Sequence, residues 1–311
     1  MAPPAIIMAT VIPEASALTG VITININPVF QLGPFTIHWY GLFYAIAFIV
    51  AYRYGALPLA LRKGVSRAMA ERIAVWTIVF GLLGARLYYD VQQPDFVSNY
   101  LLKPINLIAF WNGGMAFFGA IIAGFITLAV CAWRYRINPW MLLDGGVLFA
   151  VVGQPIGRIG NIINGDILGS PSNLPWATAY TFETPPGSGH CAILQPGFYC
   201  GIAYQPAAAY EALGTIVIGV ILFLLMRRGV RDGVAAITYV GLYAVSQLIL
   251  FQFRKSEPPG PLGLREAQWT AIVMLVVAVP LLIFLWRRTA SRLEAMHSGA
   301  HVPPAQPAAA Q

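Results

Sequence analysis

Seven apolar runs, each long enough to cross a lipid bilayer, dominate this sequence: 38–58, 71–90, 113–133, 140–157, 206–226, 234–253 and 268–286. A bilayer core takes about 20 apolar residues of helix. Lipid offers the backbone no hydrogen-bond partners, so runs of this length must be helical. Of the 311 residues, 58% are hydrophobic and only 10% are charged. An ordinary soluble domain is roughly 25% charged. A soluble globular enzyme, a disordered chain and a coiled coil are excluded. What is left is an all-α polytopic membrane protein with seven transmembrane helices.

The loops set the orientation. The segments after the first, third, fifth and seventh runs hold Arg62, Lys63, Arg67, Arg72, Arg134, Arg136, Arg227, Arg228, Arg231, Arg287, Arg288 and Arg292. The opposite segments hold only Lys103, Arg158, Arg254, Lys255 and Arg265. Basic residues are retained on the cytoplasmic side. The expected arrangement is therefore an outside N-terminus and a cytoplasmic C-terminus. The same rule accounts for the net charge of +7. Nucleic acid is not an expected partner, because no basic patch interleaved with aromatics occurs.

Residues 1–37 lack Lys and Arg and so lack the basic start of a secretory signal. They read as an extracytoplasmic segment with β character at Val21-Ile22-Thr23-Ile24, ending at Pro34. Residues 38–290 read as the membrane domain. The longest loop, about 165–205, is rich in Pro, Gly, Ser and Thr and is expected to form a small outer cap. Cys191 and Cys200 fall in it, either bridged or as two partly buried thiols, in a compartment that permits disulfides. The three cysteines have no metal-ligand spacing, and no cofactor is expected. Residues 291–311, rich in Ala, Pro and Gln from about 298, read as a disordered cytoplasmic tail.

Polar side chains within spans are costly and mark functional sites. Here they gather at the outer ends: His38-Trp39-Tyr40-Gly41, Arg86, Gly113-Gly114, Gly157-Arg158-Ile159-Gly160-Asn161-Ile162-Ile163-Asn164-Gly165-Asp166, Tyr210-Glu211 and Phe253-Arg254. If the fourth helix continues past 157, Arg158 and Asn161 share a face. Gly157 and Gly160 beside them allow a close approach by a helix or lipid. The planar guanidinium binds phosphate oxygens in pairs. Arg86, Arg158 and Arg254 at one leaflet suit an anionic phospholipid headgroup. The competing reading makes the arginines snorkelling anchors and the aromatics an interfacial belt.

These segments resemble the prolipoprotein diacylglyceryl transferase family. The likeness covers roughly 25–288 and rests on Asn27-Pro28-Val29-Phe30, His38-Trp39-Tyr40-Gly41-Leu42, Gly84-x-Arg86, Gly113-Gly114-Met115, Gly157 to Gly165, Tyr210-Glu211, Tyr243 and Phe253-Arg254. The resemblance implies an enzyme of the bacterial cytoplasmic membrane with its active site toward the outer leaflet. Such an enzyme moves a diacylglyceryl group from phosphatidylglycerol to the lipobox cysteine thiol of a prolipoprotein. Its partners are that lipid, the prolipoprotein signal peptide and the bilayer. The implied catalytic set is Arg158, Asn161, Tyr40, Asp166 and Glu211. Arg86, Gly113, Gly114, Asn164, Tyr243, Arg254 and His38 are the implied substrate-binding set.

Several positions depart from the family pattern. Phe118 stands where the family carries a His, Gln205 replaces another His, Ala207 a Ser and Gln247 an Arg, while Asp166 replaces Glu. Phenylalanine can neither accept a proton nor bind phosphate. His38, Asp166 and Glu211 are then the nearby candidates for the base. The departures also admit a phospholipid-binding relative without catalysis, or a transferase with a different acceptor.

Overall fold

The computed structural model of the chain describes residues 20–109, 114–184, 186–188, 191, 198–254 and 260–297. The elements run β1 (Ile22–Ile24), β2 (Val29–Leu32), β3 (Phe35–His38), α1 (Trp39–Val50), α2 (Leu57–Arg62), α3 (Arg67–Val91), α4 (Phe117–Tyr135), α5 (Pro139–Asn164), β4 (Thr178–Tyr180), β5 (Ala203–Tyr204), α6 (Ala207–Arg227), α7 (Val234–Leu250) and α8 (Glu266–His297). A π-helical turn, Ala51–Ala56, joins α1 to α2 into one 24-residue apolar span. Pro58 follows that turn and has no N–H to offer the carbonyl of Tyr54, so the α-helical ladder cannot run through unbroken.

Among the described residues, six helices are long and apolar enough to cross a membrane. The seventh expected span, α7, is apolar but has only 17 residues. α5 carries Pro155 and continues to Asn164, past the expected end of that run at 157. α8 reaches His297, beyond the expected start of the tail at 291, and residues 298–311 lie outside the described residues.

Two compact units form. The first takes residues 1–47, 154–216 and 244–273, and the second takes 48–153, 217–243 and 274–311. In the first unit, the expected cap is a three-stranded sheet in the order β1-β4-β5. β1 pairs parallel with β4, and β4 pairs antiparallel with β5. The N-terminal strand therefore completes the cap. Ile24, Leu168, Tyr180, Cys191 and Tyr204 form its core. Cys191 and Cys200 are joined by a disulfide. β2 and β3 make a separate hairpin that leads directly into α1.

In the second unit, α3 and α4 pack through small residues. A Cβ on Gly84 would lie 2.3 Å from the Cβ of Ala123 and 2.7 Å from the Gly119 carbonyl oxygen. Such backbone approach is how membrane helices gain dispersion contact. Helix ends are satisfied by side chains. Ser66 accepts from the Met69 N–H at 3.3 Å. The buried Asp144 of α5 accepts from the N–H groups of Gly233 and Ala236, both at 2.8 Å, and so caps α7 from another helix. The first N–H groups of a helix have no partner within it, and a carboxylate there also meets the positive end of the helix dipole.

Candidate functional site

The first unit collects most of the expected polar residues. α5 remains helical through its Gly-rich end, so Arg158 and Asn161 do share a face. Arg158 Nη1 donates to Asn161 Oδ1 at 3.2 Å. Asn161 is 2% exposed and donates from Nδ2 to Asp166 Oδ2 at 2.9 Å. Gly165 ends the helix at φ +76°, with its N–H bonded to the Asn161 carbonyl at 3.0 Å. This left-handed residue turns the chain back and brings Asp166 to Asn161. Ile167 is held at φ +61°. A β-branched residue rarely adopts that conformation, so the loop is kept there by its surroundings.

α6 supplies Glu211, which is 4% exposed. It forms an ion pair with Arg158 Nη2 through Oε2, and its Oε1 lies 3.6 Å from Arg254 Nη1. Two guanidiniums thus converge on one buried carboxylate. Arg254 also stacks over the Phe251 ring at 4.7 Å. The chain before it is placed by Gly169, where a Cβ would meet the Phe253 carbonyl oxygen at 2.7 Å and the Gln205 Cβ at 2.8 Å. Burial raises the Asp166 carboxyl above the usual carboxylate range, and the Asn161 hydrogen bond only partly offsets this.

Tyr40 opens α1 beside this cluster. A Cβ on Gly160 would sit 3.2 Å from the Tyr40 Cα, and the Tyr40 ring lies against Tyr44 at 4.6 Å. Asn164 is half-buried at the end of α5, and His38 is exposed at the end of β3.

Arg86, Gly114 and Tyr243 belong to the second unit. Arg86 is 3% exposed. It donates to the carbonyl oxygens of Gly114 at 3.2 Å and Asn106 at 2.7 Å, and it pairs with Asp90 at 3.2 Å. Its guanidinium ties the backbone at Asn106 and Gly114 to α3. Gly114 has φ +78° and lies against the Tyr89 ring. Tyr243 stacks on Tyr239 at 5.6 Å. Gly113 lies outside the described residues.

At the departing positions, Phe118 is exposed at the start of α4, and Ala207 is buried at the start of α6. Gln205 works through its backbone, accepting from the Gly169 N–H at 2.8 Å and donating to the Ser170 carbonyl at 3.0 Å. Gln247 is half-buried on α7. Among the described residues, no group of three His, Cys, Asp or Glu side chains could hold a metal.

Three contributors escaped the sequence reading. The Trp176 indole donates to the Tyr210 hydroxyl at 2.7 Å, linking the cap to the residue beside Glu211. The Tyr180 hydroxyl donates to the Ile162 carbonyl at 2.6 Å, pinning the cap to the end of α5. Gln154 meets Thr215 across α5 and α6. The first two lie in a loop with no periodicity. Gln154 belongs to the polar outer end of the fourth run, whereas Thr215 could have been noticed as a polar residue inside an apolar run.

The family model described as prolipoprotein diacylglyceryl transferase matches residues 27–284. Proteins named phosphatidylglycerol–prolipoprotein diacylglyceryl transferase are similar to this chain. One from Frankia alni is 32% identical over 83% of this chain and 66% of its own length. One from Synechococcus elongatus is 30% identical over 82% of this chain and 86% of its own length. One from Halalkalibacterium halodurans is 27% identical over 89% and 90% respectively. The chain therefore spans just under two thirds of the Frankia relative and most of the other two. A match across this much of the sequence means that the chain belongs to the prolipoprotein diacylglyceryl transferase family.

Proposed function

We propose that the Arg158–Glu211–Arg254 cluster is where phosphatidylglycerol reacts with the acceptor thiol. The chain is a transferase that moves a diacylglyceryl group from phosphatidylglycerol to a prolipoprotein. The observation that carries the site is the convergence of two guanidiniums on one buried carboxylate. In the reaction the thiolate sulfur attacks the glyceryl carbon that bears the phosphate. The C–S bond forms, the C–O bond breaks, and the electron pair leaves with glycerol phosphate. Negative charge grows on the departing phosphate, and preorganised cationic donors in a water-poor site stabilise it most. Arg158 and Arg254 are those donors. Glu211 and Asn161 orient the Arg158 fork. The Asp166 carboxylate takes the thiol proton, and its burial makes it a stronger acceptor than an exposed carboxylate. In this reading a His at position 118 is not required. Tyr40, Asn164 and His38 line the lipid side.

The acceptor in this reading is the lipobox cysteine that follows a signal peptide. The protein spans the bacterial cytoplasmic membrane seven times, N-terminus out and C-terminus in, with the site at the outer leaflet. The twelve basic residues in the inner segments against five in the outer ones support that orientation. On that orientation residues 1–37 lie outside, 38–290 form the membrane domain, and 291–311, into which α8 continues as far as His297, lie on the cytoplasmic side.

Purified protein, phosphatidylglycerol and a lipobox-cysteine peptide test this by mass spectrometry. Wild type should add the diacylglyceryl mass to the peptide, and Arg158→Ala should not. Full transfer by Arg158→Ala would overturn the site.

A further inference from the structure

We propose that Gln154 and Thr215 are positioning residues for the transfer, holding Arg158 and Glu211 in register from one helical turn away. This inference rests on the reading of the Arg158–Glu211 pair as the reacting site. Gln154 precedes Arg158 by one turn of α5, and Thr215 follows Glu211 by one turn of α6. The helices run antiparallel here, so the two pairs form adjacent rungs between them. The Thr215 hydroxyl donates to the Glu211 carbonyl at 2.8 Å, and the Gln154 side-chain amide lies 3.2 Å from the same hydroxyl. A hydroxyl has one hydrogen to give. Both acceptors lie within its reach, the Glu211 carbonyl at 2.8 Å and Gln154 Oε1 at 3.2 Å, and the hydroxyl is shared between them. Thr215 thus bonds both to the backbone of the residue that carries the ion pair and to the helix that carries Arg158.

Both side chains sit in apolar spans, and Thr215 is 5% exposed. Spacing alone could be supplied by Val and Leu. A polar pair at this depth costs desolvation unless it is satisfied, and in return it has one preferred geometry. The Arg158 guanidinium must meet both Glu211 and the departing phosphate. A rotation or slide of α5 against α6 by about 1 Å would misplace it, and displacements of that size can cost on the order of a hundredfold in rate.

Steady-state transfer by the full-length protein in phosphatidylglycerol-containing liposomes tests this, with a thermal melt of each variant. Thr215→Val should lower kcat about tenfold while KM for phosphatidylglycerol stays within about twofold, and Thr215→Ser should restore kcat. Gln154→Leu should match Thr215→Val, and the double variant should be no slower than either single, as expected for two groups acting as one unit. The proposal is overturned if Thr215→Val keeps wild-type kcat, if the single losses multiply in the double variant, or if the loss of kcat only tracks a loss of folded protein. No transfer by wild type would instead remove the site reading on which the rung depends. An active wild type with an unaffected Thr215→Val would remove the rung alone.

Discussion

Arg158 of α5 and Glu211 of α6 form an ion pair that joins the Gly-rich end of one membrane helix to the start of another. Glu211 Oε1 also lies 3.6 Å from Arg254 Nη1. Glu211→Gln leaves two guanidiniums facing a neutral amide. The expected result is loss of transfer and a destabilisation of about 3 kcal/mol, as when one partner of a buried pair is removed. A thermal melt in detergent beside the transfer assay checks it, and a variant with wild-type melting would count against the pairing.

In the proposed reaction Asp166 is the base and gives the acid limb. Burial raises its carboxyl, so the folded protein keeps this proton to a higher pH than an exposed Asp, whose value is about 4. The carboxylate is the working form, so transfer should rise with pH through that raised value. The stability sign is opposite. The contribution is full below the unfolded value and is lost as pH rises through the folded one. Asp166→Asn should slow transfer and erase the acid limb of the pH–rate profile. If the limb persists, another group is the base.

Gly169 has no room for a side chain. A Cβ there would strike the Phe253 carbonyl and the Gln205 side chain, both held in backbone pairing beside Arg254. Gly169→Ala should destabilise the first unit by about 1–3 kcal/mol. It should also displace Arg254 and reduce transfer more than the loss of folded protein in a thermal melt accounts for.

The Cys191–Cys200 bridge closes a short loop against the cap core. By the loop-entropy argument it contributes about 2–3 kcal/mol to local stability. Cys191→Ser with Cys200→Ser, or treatment with reductant, should expose residues 165–205 to protease while leaving the helices intact. Peptide mapping after brief digestion reads this directly, and an unchanged cleavage pattern would show that the bridge is dispensable.

Asp144 caps one helix from another. It satisfies two N–H groups at the start of α7. Asp144→Ala leaves them without that partner in a buried setting, which should cost about 1–3 kcal/mol. KM for phosphatidylglycerol should stay near wild type in the protein that remains folded.

Helix content and the position of the spans followed from composition and run length, because lipid admits only backbone that satisfies itself. The shared face of Arg158 and Asn161 followed from helical spacing, and β character at Ile22–Ile24 from local pattern. What folding alone decided involves partners distant in the chain. Arg86 looked like Arg158 in sequence, yet it is spent on the Gly114 and Asn106 carbonyls and on Asp90, while Arg158 and Arg254 share Glu211. The N-terminal strand's place beside β4 and the Trp176–Tyr210 bond are of the same kind. Burial and charge pairing depend on which helices and strands become neighbours, and periodicity along one segment carries no record of that choice.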